Sequence, residues 1–162
     1  AARLAKVLGE VGGGSALACF ALSYNQIGAK GVGRLAGVLG KCKLLARLDL
    51  DNNRVGNEGA GKLAVVLGGC KALTHLQLGT NTIGDEGAGR LAATLGDCKA
   101  LTHLGLSCNE IREEGVRALK QCKAPAHLDL SYNPGIRSDV FDADLDLATA
   151  VQRDIVAAER DA

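Results

Sequence analysis

Asparagine recurs along this chain at nearly constant spacing. Asn25, Asn53, Asn81 and Asn109 follow one another every 28 residues, and Asn133 comes 24 residues later. Apolar residues accompany each of the first four asparagines at offsets −8, −5, −3 and +2, as Leu73, Leu76, Leu78 and Ile83 do around Asn81. Four in-phase copies indicate an internal repeat, so the chain is expected to fold as a stack of similar units.

Each unit is predicted to form a strand, a turn, a helix and a second turn. The apolar −5 and −3 positions alternate with polar ones, which is typical of a short strand with one buried face. A glycine stands at +6, and apolar residues then follow at helical spacing, as in Ala88, Leu91, Ala92 and Leu95. A single unit cannot cover its own apolar side, so neighbouring units must share a core. Strands pack about 4.8 Å apart and helices about 8–10 Å apart, so the stack should curve with its strands inside.

The repeated asparagine is predicted to be buried at the end of the strand. Its side-chain amide can satisfy backbone groups of the adjoining turn and of the next repeat, because it carries both donors and an acceptor.

The repeat pattern also predicts where the array begins and ends. Residues 2–9 match the helical residues 33–40, so the chain starts inside a truncated repeat, and its lack of an initial Met suggests further sequence upstream. The fourth helix should be shorter by four residues, about one turn. Pro125 replaces the −8 leucine of the fifth copy, and the pattern stops after residue 136. We therefore expect a repeat array with about five strands over 1–136, followed over 137–162 by an acidic segment and a capping helix.

Composition excludes some classes of partner. Lys and Arg number 19 against 18 Asp and Glu, so the net charge of +1 gives no general attraction to nucleic acid or to an anionic membrane. No apolar run approaches the roughly 20 residues of a membrane span. Four of the six cysteines recur after the helices, which favours buried, reduced thiols and a cytoplasmic location.

The frame LxxLxLxxNxIGxxGxxxLAxxLxxC resembles the ribonuclease-inhibitor type of leucine-rich repeat. The resemblance covers about residues 1–136, and LTHLQLGTNTIGDEGAGRLAATLGDCKA (73–100) fits it at nearly every framing position. It implies an α/β fold, a right-handed solenoid shaped like a horseshoe, with parallel strands on the concave face and helices on the convex face. Similar arrays form ribonuclease inhibitor, the sensing ends of NOD-like receptors and Ran GTPase-activating protein, so the resemblance implies a scaffold for binding without choosing among these functions.

Three motifs could suggest a catalytic or ligand site. The segment GNEGAGKL (56–63) fits GxxxxGK, but Leu63 replaces the Ser or Thr that a phosphate-binding loop needs for magnesium. Asp142, Asp144 and Asp146 begin like a calcium loop, which then lacks its glycine and its final glutamate. The three histidines occupy equivalent positions, so no Ser–His–Asp set can form. We therefore predict no catalytic, cofactor or metal residues and a protein that is not an enzyme.

Offsets −6, −4 and −2 are predicted to line the concave face. The candidate partner-binding residues there are Arg47, Asp49, Asp51, His75, Gln77, His103, His127 and Asp129. The three histidines share offset −6 on successive strands, close enough for their mutual repulsion to lower their affinity for protons. They can be ordinary surface, a contact for a partner, or a zinc site, although parallel strands lack the converging angles that zinc prefers.

The sequence therefore predicts a protein-protein interaction module, monomeric as a fragment and part of a larger NOD-like-receptor-type or signalling protein. The alternatives are a GTPase-activating protein of the Ran type, a ubiquitin-ligase substrate receptor, or a purely structural spacer.

Overall fold

The computed structural model describes residues 18–122 and 125–136, in which short strands alternate with helices. The elements are β1 (Cys19–Ala21), α1 (Ala29–Leu39), β2 (Arg47–Asp49), α2 (Gly56–Leu67), β3 (His75–Gln77), α3 (Asp85–Leu95), β4 (His103–Gly105), α4 (Glu113–Gln121) and β5 (His127–Asp129). The truncated first repeat, the 137–162 segment and its aspartates lie outside the described residues.

The strands form one parallel sheet in the order β1-β2-β3-β4-β5. Each strand residue pairs with its equivalent in the next repeat, so that Leu48, Leu76 and Leu104 lie side by side on successive strands. The helices pack against one another on the other side of the core. The predicted α/β solenoid, with an inner sheet and outer helices, is confirmed.

The core lies between the sheet and the helices and consists mainly of leucine. The strand residues Leu48, Leu76 and Leu104 are at most 1% exposed, and the helical Leu63 and Leu91 are fully buried. Equivalent apolar positions are buried from repeat to repeat, with Leu22 of the first described repeat only partly buried, so one continuous interior runs through the stack. None of the helices in the described part has the length and apolar character of a bilayer span.

The asparagine ladder reaches back to the preceding repeat. Asn81 is fully buried, its Nδ2 donates to the carbonyls of Leu50 (2.9 Å) and Gly79 (3.0 Å), and its Oδ1 accepts from the N–H of Val55 (3.3 Å). The prediction of a side-chain contact with the next repeat is wrong. The backbone groups of Leu50 and Val55 that need partners point forward along the stack, so the asparagine that satisfies them belongs to the repeat that follows.

Two helices receive their N-terminal cap from the helix before them. Oδ1 of Asn57, in the first turn of α2, accepts from the N–H groups of Gly84 (2.7 Å) and Gly87 (3.1 Å) at the start of α3. Oδ1 of Asp85 in α3 likewise accepts from the N–H of Arg112 (2.7 Å) at the start of α4. These side chains satisfy donors that a helix leaves free at its first turn, so capping joins the N-terminal ends of neighbouring helices.

The same contact explains the glycine at +6. A Cβ at Gly87 would lie 2.7 Å from Oδ1 of Asn57, and one at Gly115 would lie 2.6 Å from Oδ1 of Asp85. The first turns of neighbouring helices pack too closely for any side chain at this position.

The fourth helix is shortened less than predicted. α4 has 9 residues against 11 in α3, and the connection to the next strand loses the other two. The four missing residues are shared between the helix and the connection that follows it, and β5 still pairs with β4 in register.

The cysteines after the helices fill space in the core, as predicted. Cys42, Cys70 and Cys98 are buried, and their thiols contact helix carbonyls, as between Sγ of Cys98 and the carbonyl of Thr94 (3.5 Å). Burial raises the pKa of each of these three thiols, so they are poor nucleophiles.

Candidate functional site

The exposed side of the sheet carries all eight predicted partner-binding residues. We call it the sheet face and define it as offsets −6, −4 and −2 of the five repeats. Arg47, His127 and Asp129 are exposed, whereas the other five predicted residues are partly exposed. The register places Arg47 beside His75 and Asp49 beside Gln77, so the residues form rows that cross the strands.

The histidines form a stacked ladder along the −6 row. The rings of His75 and His103 are 4.2 Å apart and within 7° of parallel, and those of His103 and His127 are 4.4 Å apart at 22°. Nδ1 of His75 lies 2.9 Å from Oγ1 of Thr74, and Nδ1 of His103 lies 2.9 Å from Oγ1 of Thr102. These contacts hold two of the three rings in one orientation, so the histidine ladder is an ordered feature of the sheet face.

The centre of the ladder resists protonation. Partial burial lowers the pKa of His103, and the neighbouring His75, His127 and Arg47 lower it further by repulsion between positive charges. The predicted mutual repulsion is confirmed for this residue, although loss of hydration is the larger cause.

Aspartates line the strand ends beside the ladder. Oδ1 of Asp51 accepts from the N–H of Gly79 (2.6 Å), and Oδ1 of Asp49 accepts from the N–H of Asp51 (3.0 Å). Partial burial raises the pKa of Asp51, and the charges of Asp49 and Asp129 add to the rise, whereas the Gly79 hydrogen bond opposes it. The Asp51 carboxylate therefore has a fixed orientation and is protonated more readily than an exposed aspartate.

Gln77 partly fills the middle of the sheet face. Gly105, its neighbour on β4, has no side chain, and the Gln77 amide occupies the space where a Cβ would lie. Substituting Gly105 would displace Gln77, so the contour here depends on this pair.

A second polar surface lies where the strands end. The residue at −1 has a left-handed backbone in all five repeats, with φ between 52° and 58° at Tyr24, Asn52, Thr80, Cys108 and Tyr132. Left-handed backbone is strained for residues other than glycine. The first three residues help to line a shallow depression of about 340 Å³, which Arg54 also lines. We call this the strand-exit depression.

Sequence reasoning did not identify the strand-exit depression. The residue before each repeated asparagine is never apolar aliphatic, and this was the available signal. Polar residues beside a turn are common, however, so the pattern does not predict a left-handed backbone conformation. Among the described residues no group of three or more His, Cys, Asp or Glu side chains is arranged to hold a metal ion.

Comparison with known families identifies the repeat. A family model described as Leucine Rich repeat matches residues 19–36, 41–64, 69–92 and 97–120, which is more than half of the chain. This chain belongs to the leucine-rich-repeat family. The framing leucines and the asparagine ladder are therefore the family's scaffold in this protein, and the rows of the sheet face vary from repeat to repeat.

A solved structure has a similar fold. Leiomodin-1 Actin-Binding Site 2 superposes with a TM-score of 0.70 over 96% of this chain and 91% of its own, at 17% sequence identity. At that identity the likeness concerns the fold alone. No curated protein matches the sequence.

Proposed function

We propose that this leucine-rich-repeat protein is a protein-binding module that receives its partner on the sheet face. The observation that carries the proposal is the set of polar side chains that Arg47, Asp49, Asp51, His75 and Gln77 present side by side, of which Asp49, Asp51 and His75 are held by hydrogen bonds. A row of polar groups fixed before binding loses little conformational entropy when a partner arrives, which favours recognition.

The shape of the surface supports binding of another protein over catalysis. An inner sheet presents a broad surface, whereas the one depression described at the strand ends is shallow and open. Small-molecule sites are typically concave and enclose most of their ligand. We therefore infer a binding role for the sheet face and propose no reaction for it.

The finer proposal is a ribonuclease-inhibitor-type array acting within a larger sensing or signalling protein in the cytoplasm. The 28-residue period and helices of 11 and 12 residues support the type. The six unpaired cysteines fit a reducing compartment.

Quantitative affinity capture tests the proposal with matched variants. The double variant Arg47→Ala with Asp49→Ala removes one cation and one anion from the sheet face. Glu58→Ala with Lys62→Ala does the same on α2, where the two groups form an exposed ion pair (2.5 Å). We expect the first variant to reduce recovery of a specific partner about tenfold, as loss of about 1.4 kcal/mol would, and the second to leave it unchanged. Equal recovery with both variants would exclude the sheet face and favour a structural spacer.

Actin is a defined partner to include, because the leiomodin structure with the similar fold is an actin-binding site. Co-sedimentation of the chain with filamentous actin, with and without Arg47→Ala, tests this pairing directly. Sedimentation that is lost in the variant would place actin on the sheet face.

The second candidate function is activation of a GTPase, and Arg54 is the observation that favours it. This exposed arginine lines the strand-exit depression, where it could reach a partner's active site. An arginine supplied to a GTPase stabilises the charge of the transition state and accelerates GTP hydrolysis by about 10³–10⁵-fold. Stimulation of GTP hydrolysis that Arg54→Ala abolishes would support it, and no stimulation at micromolar protein would remove it. A role as a ubiquitin-ligase substrate receptor would use the sheet face and gives the same capture result.

A further inference from the structure

The charge of the sheet face changes sign with the protonation of the histidine ladder. Four other residues on this face are charged, namely Arg47, Asp49, Asp51 and Asp129. With the histidines neutral, three negative charges and one positive charge give a net charge of −2. Three protonated histidines would change this to +1. The sheet face therefore suits a positively charged partner at neutral pH and a negatively charged partner at acidic pH.

The threonines before two histidines determine which ring nitrogen carries the proton. Oγ1 of Thr74 is 2.9 Å from the carbonyl oxygen of Ala46, and two oxygens this close need a proton between them. Because that hydroxyl proton is used, Oγ1 can only accept from Nδ1 of His75. Neutral His75 therefore carries its proton on Nδ1.

Thr102 repeats this arrangement one strand later. Its Oγ1 is 3.1 Å from the carbonyl oxygen of Thr74 and 2.9 Å from Nδ1 of His103, so neutral His103 also carries its proton on Nδ1. Ala126 precedes the third histidine and has no hydroxyl to impose a tautomer. His75 and His103 thus present two unprotonated Nε2 acceptors from nearly parallel rings.

The spacing of these acceptors fits a cationic donor. One ammonium nitrogen that donates two hydrogen bonds of about 2.9 Å at tetrahedral angles reaches acceptors roughly 4.7 Å apart, close to the 4.2 Å between the rings. Gln77 and the three aspartates add acceptors in the neighbouring rows. Arg47, at the end of the ladder, is the only cation in these rows when the histidines are neutral.

We propose that the sheet face binds an arginine- and lysine-rich segment of its partner at neutral pH and releases that segment when the histidine ladder is protonated. The proposal rests on the proposed function, and it adds the partner's chemistry and the condition for release. Protonation converts both Nε2 acceptors into donors and adds positive charge beside Arg47, so the same atoms that attract a cation then repel it.

The charged groups around the ladder act on its protonation in opposite directions. Arg47 on β2 and the stacked rings oppose protonation, whereas Asp49, Asp51 and Asp129 favour it, and Cys19 pairs with Arg47 from β1. Because the pKa of His103 is lowered, its ring stays neutral near pH 7 and accepts a proton only at more acidic pH. Binding should therefore persist at neutral pH and weaken on acidification.

The test uses two fluorescent synthetic peptides and the whole chain. One peptide alternates serine with basic residues, arginine and lysine in turn, and the matched peptide has glutamate in place of every basic residue. Fluorescence anisotropy is recorded at about pH 8 and about pH 5, on either side of the ordinary histidine pKa of about 6.5. We expect the basic peptide to bind at the higher pH and to lose roughly tenfold or more in affinity at the lower pH, with the acidic peptide showing the opposite preference.

A triple variant separates the histidines from the aspartates. Glutamine at the three positions (His75→Gln, His103→Gln and His127→Gln) keeps neutral acceptors, so the basic peptide should bind at both pH values with similar affinity. If the triple variant loses affinity on acidification as the natural chain does, protonation of Asp51 or another carboxylate is responsible and the proposal is wrong. Circular dichroism of the variant checks its folding.

Histidine ¹⁵N NMR measures the tautomers independently of any ligand. We expect the Nδ1–H form for His75 and His103 at about pH 8, and the Nε2–H form at both would overturn the proposal. A natural partner that requires Arg47 and Asp49, together with no binding of the basic peptide at about pH 8, would refute this inference while leaving the proposed function intact.

Discussion

Replacing Asn81 by alanine removes three hydrogen bonds, two of which join it to the preceding repeat. Nδ2 donates to the carbonyls of Leu50 and Gly79, and Oδ1 accepts from the N–H of Val55. Leu50 keeps a second donor, Nδ2 of Asn53, and the Gly79 carbonyl keeps the N–H of Asn52. The buried N–H of Val55 loses its acceptor.

The magnitude follows from this difference. A buried N–H left without a partner costs about 1–3 kcal/mol, and each of the other two hydrogen bonds contributes about 0.5–1.5 kcal/mol. Since both of those carbonyls retain a donor, losing each of these two hydrogen bonds should cost a free energy at the low end of that range. We expect Asn81→Ala to lower the free energy of unfolding by about 2–4 kcal/mol.

Asn25→Ala is the matched control. Asn25 is exposed, and its Nδ2 donates to the carbonyls of Leu22 and Ser23 within its own repeat. We expect a loss below about 1 kcal/mol, because the Asn25 side chain is exposed and exchanges its hydrogen bonds with water. Urea unfolding followed by circular dichroism measures both variants, with the denaturant slope checked for constancy. Equal losses in the two variants would refute the claim that the ladder's reach to the preceding repeat stabilises the stack.

Three further predictions concern the helices and the cysteines. Gly87→Ala should lower thermal stability by about 1–3 kcal/mol because its Cβ would meet the neighbouring helix, whereas Gly89→Ala in the same helix has open space and should raise it by about 0.5–1 kcal/mol. Asp85→Ala should cost about 1 kcal/mol in urea unfolding through loss of the cap on α4, and a neutral result would show that the capping contact contributes nothing. Iodoacetamide at mildly alkaline pH should modify exposed Cys108 well before buried Cys70, whose pKa is raised by burial, and mass spectrometry that finds the reverse order would contradict the burial of the thiol row.

The sequence was enough to predict the features that repeat with the chain's own period. Leu48, Leu76 and Leu104 recur at one offset, so their burial and pairing followed from counting. The ladder of His75, His103 and His127 followed in the same way, because parallel pairing in register places equal offsets side by side.

Hydrogen bonds between side chains and the backbone of a neighbouring repeat could not be predicted. Asn57 caps a helix that begins 28 residues later, and a search for capping residues next to each helix misses it because Gly84 stands at the local cap position. The tautomer of His75 depends on Oγ1 of Thr74 donating to the carbonyl of Ala46, which holds the same offset in the preceding repeat. The period places these two residues side by side, but it does not show which backbone groups their side chains contact.

The left-handed residues at the strand ends show a similar limit. Thr80 and Tyr132 favour extended backbone by their own propensity, yet both have positive φ. The N–H of Thr80 bonds to the carbonyl of Ser107, so the ladder of the stack continues through the turn and stabilises the strained residue. Local propensity gives no sign of this tertiary effect.

Site-specific photo-crosslinking tests most directly whether the sheet face is the recognition surface. A photoreactive phenylalanine analogue is placed at Gln77 on the sheet face or at Val65 on the helix side, where the natural side chain is 83% exposed. With a partner identified by capture, the account predicts a covalent adduct from position 77 and none from position 65. An adduct from position 65 alone would contradict it and would place recognition on the convex side.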